Sequence, residues 1–258
     1  MSENVSTKSL ALFVTNKTIT YLTKTAQQED NFYSESYHIN YCTAENISNE
    51  NEIRNVVKAN LPLLLYYDKI FVCYQSIPFT IVPEEYYNNQ LIDYYQLLSD
   101  TENENYSIKL NQPKSHLIFK NINPIHKILN ELSNYKNAIF LHTGKLLIDN
   151  AKVDVEKIQI FIQIINQKLE LCIYNKGIFT LYNIYDIIND NDIIYYILNT
   201  IQQHNLDPTI TNLIFENEIT INHPIPSQLQ KYVSNISFNE ETNLVGLKHL
   251  LYKIFECE

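Results

Sequence analysis

The sequence predicts a mixed α/β fold in which one strand-rich unit occurs twice. Each half of the 258-residue chain carries three successive strand patterns joined by short turns, then an amphipathic helix, then a buried strand. These patterns follow the same order in both halves. A chain of this length buries about three quarters of its unfolded surface, so the fold needs no metal ion or disulfide bond to hold it.

In the first unit, a turn at Asn16-Lys17 separates the first two strands. Ser48 or Asn49 is a suitable helix cap, and Pro62 disfavours continuation of that helix. The predicted strands of this unit are Ser9–Thr15, Thr18–Thr25, Phe32–Asn40 and Lys69–Gln75.

The middle of the chain, about residues 79–121, is predicted as an insertion within the first unit. Pro83 is expected at the first position of a helix, with Glu84 and Glu85 complementing the helix dipole. After it we expect strands at about Tyr106–Leu110 and His116–Lys120, a helix from Asn123-Pro124 and a buried strand at Ala138–His142.

In the second unit, turns are expected at Asn166-Gln167 and at Asn175-Lys176-Gly177. Asp190 is expected to cap a helix that Asn205 and Pro208 end. The predicted strands are Lys157–Ile165, Lys168–Tyr174, Ile178–Tyr185 and Thr211–Glu216, and a last helix contains Leu244, Leu247, Leu250, Leu251 and Ile254.

A three-stranded meander followed by a crossover helix and a fourth strand is the ribonuclease-H-like topology. Two tandem copies predict the actin-like architecture, with one lobe at residues 1–147 and a second at 148–258. Pattern alone leaves one alternative open, namely two unrelated α/β domains with similar hairpins.

The charge balance excludes several classes of partner. The net charge is −10 and Arg54 is the only arginine, which argues against nucleic acid and against anionic membrane surfaces. We expect no membrane span and no signal segment, because no apolar run is long enough and the first ten residues lack a basic start. Four cysteines without metal-type spacing, Cys42, Cys73, Cys172 and Cys257, predict reduced thiols and a cytoplasmic protein.

Three short segments resemble one known family. Residues Phe79-Thr80-Ile81-Val82-Pro83-Glu84 resemble its first signature, Asp192–Leu198 with Leu206-Asp207-Pro208 resembles its second, and the strand ending at Leu141-His142 also fits. The family is a bacterial family of unknown function, and the resemblance spans about residues 10–238. It implies an actin-like ATPase fold and a remote relationship to the actin-like proteins of pilus assembly. Relatives tend to carry a glycine where this chain reads Glu216-Asn217-Glu218.

The two equivalent hairpin bends lack the residues that actin-like ATPases use. A carboxylate there holds magnesium through water, and glycines let backbone N–H groups approach phosphate. The bends read Phe13–Thr18 and Gln163–Lys168, without Asp, Glu or Gly. We therefore predict a degenerate nucleotide cleft, no ATPase activity and no cofactor. The alternative is an ATP-binding switch that uses Thr15, Lys17 and Asn166.

The sequence does not match the patterns of other catalytic or metal-binding sites. The first strands lack the acids of a ribonuclease-H-type nuclease, and Asp186, Asp190 and Asp192 lack the spacing and glycine of a calcium loop, so we predict helix capping. His142, at a strand end, is expected to be structural. No metal site and no catalytic residue are predicted.

Paired tyrosines mark a candidate docking surface. The pairs are Tyr66-Tyr67, Tyr86-Tyr87, Tyr94-Tyr95 and Tyr195-Tyr196. Adjacent helical residues point about 100° apart, so one member of some pairs is expected to be exposed, and tyrosine is enriched at protein interfaces. We predict an interaction helix with Tyr86, Tyr87, Leu91, Tyr94 and Tyr95.

The resulting hypothesis is a non-catalytic actin-fold protein that binds an unknown protein partner. Besides the ATP-binding switch, a homodimeric structural module that uses the same helix remains as an alternative.

Overall fold

The computed structural model describes residues 6–15, 19–29, 32–42, 67–75, 78–88, 90–91, 105–120, 138–216, 219–239 and 247–255. The chain divides into two compact units. Unit 1 contains Met1–Lys109, Ser115–Leu146 and Leu250–Glu258, and unit 2 contains Leu110–Lys114 and Leu147–His249. The predicted helices near residues 48–57 and 123–132 lie outside the described residues.

Unit 1 is built on a five-stranded sheet with the order β3-β2-β1-β4-β8. Strand β1 is antiparallel to β2 and parallel to β4, which is parallel to β8. Residues 10–14 of β1 are all buried, as expected for a central strand that is covered on both faces. The strands are β1 (Ser6–Val14), β2 (Ile19–Glu29), β3 (Phe32–Cys42), β4 (Lys69–Tyr74) and β8 (Ala138–His142).

The middle segment forms a separate three-stranded sheet with the order β5-β7-β6. Its strands are β5 (Phe79–Pro83), β6 (Asn105–Leu110) and β7 (Ser115–Lys120). The two later strands confirm the prediction, whereas β5 includes Pro83, which we expected inside a helix. A short 3-10 helix, Glu84–Tyr86, follows it directly.

Unit 2 repeats the topology of unit 1. Its sheet has the order β11-β10-β9-β12-β13, with β10 antiparallel to β9 and β11, and β12 parallel to β9 and β13. The matching order and directions confirm the predicted actin-like arrangement of two ribonuclease-H-like sheets. The strands are β9 (Ile158–Ile165), β10 (Lys168–Asn175), β11 (Ile178–Asp186), β12 (Thr211–Phe215) and β13 (Asn235–Phe238).

The described helices are α1 (Thr143–Asp149), α2 (Asp190–Gln203), α3 (Pro224–Leu229) and α4 (Leu247–Ile254). The core of unit 2 forms between one sheet face and two of these helices. Isoleucines of β9 and leucines of β10 pack with the apolar stripe of α2, which includes Ile193, Ile197 and Ile201. Helix α3 adds Ile225 and Leu229 to the same cluster.

The N-cap of helix α2 lies one residue before its predicted position. Asn189, not Asp190, is the N-cap, and its side chain accepts a hydrogen bond from Asn191 N–H. Asp192 completes a capping box because its Oδ2 accepts from Asn189 N–H. At the other end Asn205 adopts a left-handed φ of 51°, which confirms the predicted stop.

Within the described ranges, no helix combines the length and apolar character that crossing a bilayer requires.

Candidate functional site

The bend between β9 and β10 is a two-residue turn. Ile165 pairs directly with Lys168, so only Asn166 and Gln167 lie between the strands. Their φ values of 47° and 60° are both positive, which defines a type I′ hairpin turn. Both side chains are exposed. This turn confirms the predicted position and presents neither a carboxylate nor a glycine.

The equivalent bend of unit 1 is longer than the predicted two-residue turn at Asn16-Lys17, whose own residues lie outside the described part of the chain. Val14 pairs with Ile19, so four residues separate the paired ends of β1 and β2. Thr15 is half-buried, and Lys17 lies outside the described residues. The structure therefore places two of the three alternative phosphate contacts, Thr15 and Asn166, in bends of different length.

A row of buried polar side chains crosses the unit 2 sheet near the carboxyl ends of β9 and β12. Glu170 is fully buried and faces Gln163 across the strand pair. Tyr182 donates a hydrogen bond of 2.9 Å to Glu170 Oε2, and Gln163 Nε2 lies 3.5 Å from the same atom. Glu216 follows β12 and accepts from Asn239 Nδ2 at 2.9 Å. The row lies where α/β sheets usually bind ligands, but its carboxyl groups are engaged by neighbouring side chains.

Sequence reasoning missed the burial of Glu170, because its strand neighbours Leu169 and Leu171 indicated one apolar face only. The pairing register of β9 and β10 could not be predicted from the sequence, and this register places Glu170 opposite the polar Gln163. In the sequence, Glu216 stood out only as part of the run Glu216-Asn217-Glu218 after β12.

The thiol of Cys172 and the phenol of Tyr174, both buried on this sheet, have raised pKa values. Burial raises the pKa of the Cys172 thiol well above its usual value, and the nearby Glu216 carboxylate raises it further. Burial also raises the pKa of Tyr174, whose hydroxyl donates to the carbonyl oxygen of Gln112 at 2.9 Å. Neither side chain is poised to ionise near neutral pH.

His142 is a structural residue. It is fully buried, its Nδ1 accepts a hydrogen bond from Gly144 N–H at 2.9 Å, and its ring packs near Phe79 and Phe119. Among the residues that the structure describes, no three His, Cys, Asp or Glu side chains are arranged to bind one metal ion.

The predicted interaction helix is interrupted at its start. Tyr86 ends the 3-10 turn, and Tyr87 is extended with φ −78° and ψ 129°. Leu91 N–H donates to Asn88 Oδ1 at 3.1 Å, the contact typical of a helix N-cap. Tyr86 and Tyr87 therefore do not share one continuous helix with Leu91, and Tyr94 and Tyr95 lie outside the described residues.

Tyr86 and Tyr87 nonetheless form a surface with the small sheet. Tyr86 is 67% exposed. Tyr87 stacks on His116 with ring centroids 3.6 Å apart and planes 3° apart, and Ser107 Oγ is 3.3 Å from His116 Nδ1. Desolvation lowers the pKa of His116, which favours the neutral ring in this stack.

An ion pair borders this stack on the same small sheet. Lys109 pairs with Glu84 beside His116, and the two charges have opposite effects on the imidazole: Glu84 raises its pKa and Lys109 lowers it. We call Tyr86, Tyr87 and His116 the tyrosine–histidine surface.

Comparison with solved structures identifies the fold. A protein of unknown function with an actin-like ATPase fold from Bacteroides thetaiotaomicron is 15% identical, with a TM-score of 0.75 over 97% of this chain and 96% of that chain. A PilM–PilN type IV pilus biogenesis complex is 9% identical, with a TM-score of 0.44 over 90% of this chain and 88% of that one. The filament of AlfA from a Bacillus subtilis plasmid is also 9% identical, with a TM-score of 0.44 over 98% and 99% of the two chains.

No curated protein matches the sequence significantly. The sequence profile of one family, described as proteins of unknown function (DUF3822), matches residues 2–236. The match covers both units and confirms the resemblance seen in the short signatures. The chain therefore belongs to the DUF3822 family and has the actin-like ATPase fold.

Proposed function

We propose that the protein acts by binding another protein and does not hydrolyse ATP. The thiols of Cys73 and Cys172 are buried and reduced, which supports a location in a reducing cytoplasm.

The observation that carries the proposal is the Asn166–Gln167 turn. Holding a triphosphate with magnesium needs a carboxylate that reaches the metal through water and backbone N–H groups that can approach phosphate closely. A two-residue turn has the shortest connection a hairpin allows, and this one contributes two exposed amide side chains. Glu216 adds a buried carboxyl group just after the neighbouring parallel strand β12.

The tyrosine–histidine surface of unit 1 is the proposed contact for the partner. An exposed tyrosine joins a large apolar area to a polar tip, which suits a binding hot spot. Tyr86 is exposed beside a fixed aromatic stack. Binding there would order few further side chains, which limits its entropic penalty.

Calorimetric titration with Mg-ATP tests the catalytic half of the proposal. We expect no saturable heat and no phosphate release above that of an Asn166→Ala variant. Micromolar binding together with turnover would overturn the proposal.

The actin-like ATPase fold itself favours a second candidate, an ATP-binding switch without hydrolysis. A rise in thermal stability with ATP that disappears in Lys17→Ala and Thr15→Ala variants would support the switch. No rise at millimolar ATP would support the nucleotide-free proposal.

Affinity purification with the wild-type chain and two variants tests the binding surface. Tyr86→Ala should lose a specific partner. Tyr232→Ala, which removes another exposed tyrosine (59% exposed), should retain that partner. Equal capture by all three proteins would contradict the assignment. Light scattering of the isolated chain separates this reading from a homodimer, because a dimer that Tyr86→Ala dissociates would favour the structural module.

A further inference from the structure

Unit 2 exposes a second aromatic surface, where β11 ends and α2 begins. Tyr185 stacks on Tyr196 with ring centroids 4.4 Å apart and planes 20° apart. Tyr195 meets Tyr196 edge to face at 5.3 Å. Tyr195 is 61% exposed and Ile188 is 90% exposed. We call Tyr185, Ile188, Tyr195 and Tyr196 the tyrosine face.

Ile188 has an unusual environment for its position. It immediately precedes the N-cap of α2, where an apolar residue often packs against the fourth helical residue. That fourth residue is Ile193, which is buried in the core of unit 2. Ile188 remains exposed instead, so the apolar staple that would cover it is not made.

The backbone nevertheless holds Ile188 in place. Its N–H donates to Asp192 Oδ2 at 2.7 Å. The preceding residue, Ile187, is buried and donates from its N–H to the carbonyl oxygen of Gln167 at 2.9 Å. An isoleucine fixed in this way presents apolar area without a large ordering penalty on binding.

The chain segment that carries the tyrosine face is acidic. Asp186, Asp190 and Asp192 lie within seven residues along the chain, and Lys168 forms an ion pair with Asp186. The positive end of the helix dipole amounts to about half an elementary charge, so it does not cancel the two carboxylates in the first turn of α2. The chain as a whole has a net charge of −10. A ligand that complements this face carries positive charge.

We infer that the tyrosine face docks an arginine- or lysine-bearing segment of a partner protein. An apolar side chain of that segment covers Ile188, and its cationic group lies over the exposed ring of Tyr195, where the negative face of the ring attracts it. The two carboxylates in the first turn of α2, those of Asp190 and Asp192, attract the same charges and raise the association rate.

The inference extends the proposed function to the chemistry of a bound segment. It uses residues of unit 2 only, so it can fail while the tyrosine–histidine surface of unit 1 holds, and the reverse.

The chain supplies a matched control for the test. Tyr232 is 59% exposed, close to the 61% of Tyr195, but its neighbour in sequence is Lys231. A generally adhesive tyrosine would act equally at both positions, whereas cation recognition requires the acidic surroundings of Tyr195.

Fluorescence anisotropy with the full chain tests the inference, using a labelled peptide of alternating arginine and leucine and a second peptide with glutamate in place of arginine. We expect saturable binding of the arginine peptide below about 1 mM at low salt and weaker binding as salt screens the charges. Tyr195→Ala should weaken binding by about 3- to 10-fold, and Asp190→Asn should weaken it less. Tyr195→Phe and Tyr232→Ala should bind like the wild type, and the glutamate peptide should not bind.

Three results would overturn the inference: no saturable binding of the arginine peptide, unchanged binding in Tyr195→Ala, or an equal loss in Tyr232→Ala. The substituted side chains are exposed, so the variants should keep the melting temperature of the wild type, which circular dichroism checks. An Ile188→Ser variant gives a second measurement on the apolar contact and should also weaken binding.

Discussion

Replacing Tyr182 with phenylalanine removes one oxygen atom from the interior of unit 2. Tyr182 is 5% exposed, and its hydroxyl donates to Glu170 Oε2 at 2.9 Å. The ring of phenylalanine occupies the same volume, so packing is preserved and the hydrogen bond is the main loss. Gln163 Nε2 lies 3.5 Å from the same oxygen, so Glu170 keeps this longer and weaker contact in the variant.

The expected loss of stability follows from the burial of the acceptor. Losing a hydrogen bond to a buried carboxyl group costs about 1–3 kcal/mol, so Tyr182→Phe should lower the free energy of unfolding by that amount. Replacing both partners with apolar residues is nearly neutral in comparison. In a Glu170→Leu background, the same Tyr182→Phe change should therefore cost less than about 0.5 kcal/mol.

Urea unfolding followed by circular dichroism measures the four proteins of this double-mutant cycle. Tyr185→Phe is the matched control, because this neighbouring tyrosine is half-buried and stacks through its ring. A loss of equal size in both backgrounds would refute the coupling between Tyr182 and Glu170. So would a Tyr182→Phe variant as stable as the control.

Three further measurements test other features. Gly177→Ala should lower the free energy of unfolding by about 1–2 kcal/mol, because the φ of Gly177 is +80° and an added Cβ would lie 3.1 Å from Val155 Cγ1. The control Lys176→Gly, at a residue whose φ is 50°, should not destabilise the protein. Equal effects of the two substitutions in urea unfolding would contradict the turn assignment. Cys172 should resist alkylation in the native protein at pH 8 and react in urea, because burial raises its pKa, and mass spectrometry of native protein labelled at this site would disprove its inertness. Desolvation lowers the pKa of His116 in the folded state, so the unfolded chain binds more protons and stability should fall as pH drops through about 6.5 and below. His116→Phe, which keeps an aromatic ring at this position, should flatten this pH dependence. A pH profile unchanged in His116→Phe would contradict the role of His116.

Alternating and continuous apolar runs predicted most of the two sheets, because the two-residue period of a strand and its burial are both visible in a short stretch of sequence. The Asn166–Gln167 turn could also be predicted from the sequence, since asparagine tolerates a left-handed backbone. The cap of α2 was harder. Asn189 and Asp190 are both good capping residues, and only the extended backbone of Asn189, with φ −152° and ψ 173°, selects it.

Features that depend on distant contacts were missed. Strand β13 has four residues and pairs with β12 at the edge of the described sheet, so its pattern is too short to recognise. Helix α3 begins with Pro224 after the unusual cap His223, and a proline at the first helical position could have revealed it. The prediction of a continuous interaction helix was wrong at Tyr87, whose backbone is extended. Helical spacing of apolar residues does not reveal a single extended residue.

The fourth and fifth strands of each sheet are joined by connections of very different length, residues 75–137 in unit 1 and residues 216–234 in unit 2. Both connections return the chain to a parallel strand in the same place, although the longer one holds an entire extra sheet. The penalty for closing a longer loop grows only slowly with its length. This crossover is therefore where the architecture accepts added sequence, and a fluorescent reporter domain grafted between β12 and β13 would leave the strand order of unit 2 intact.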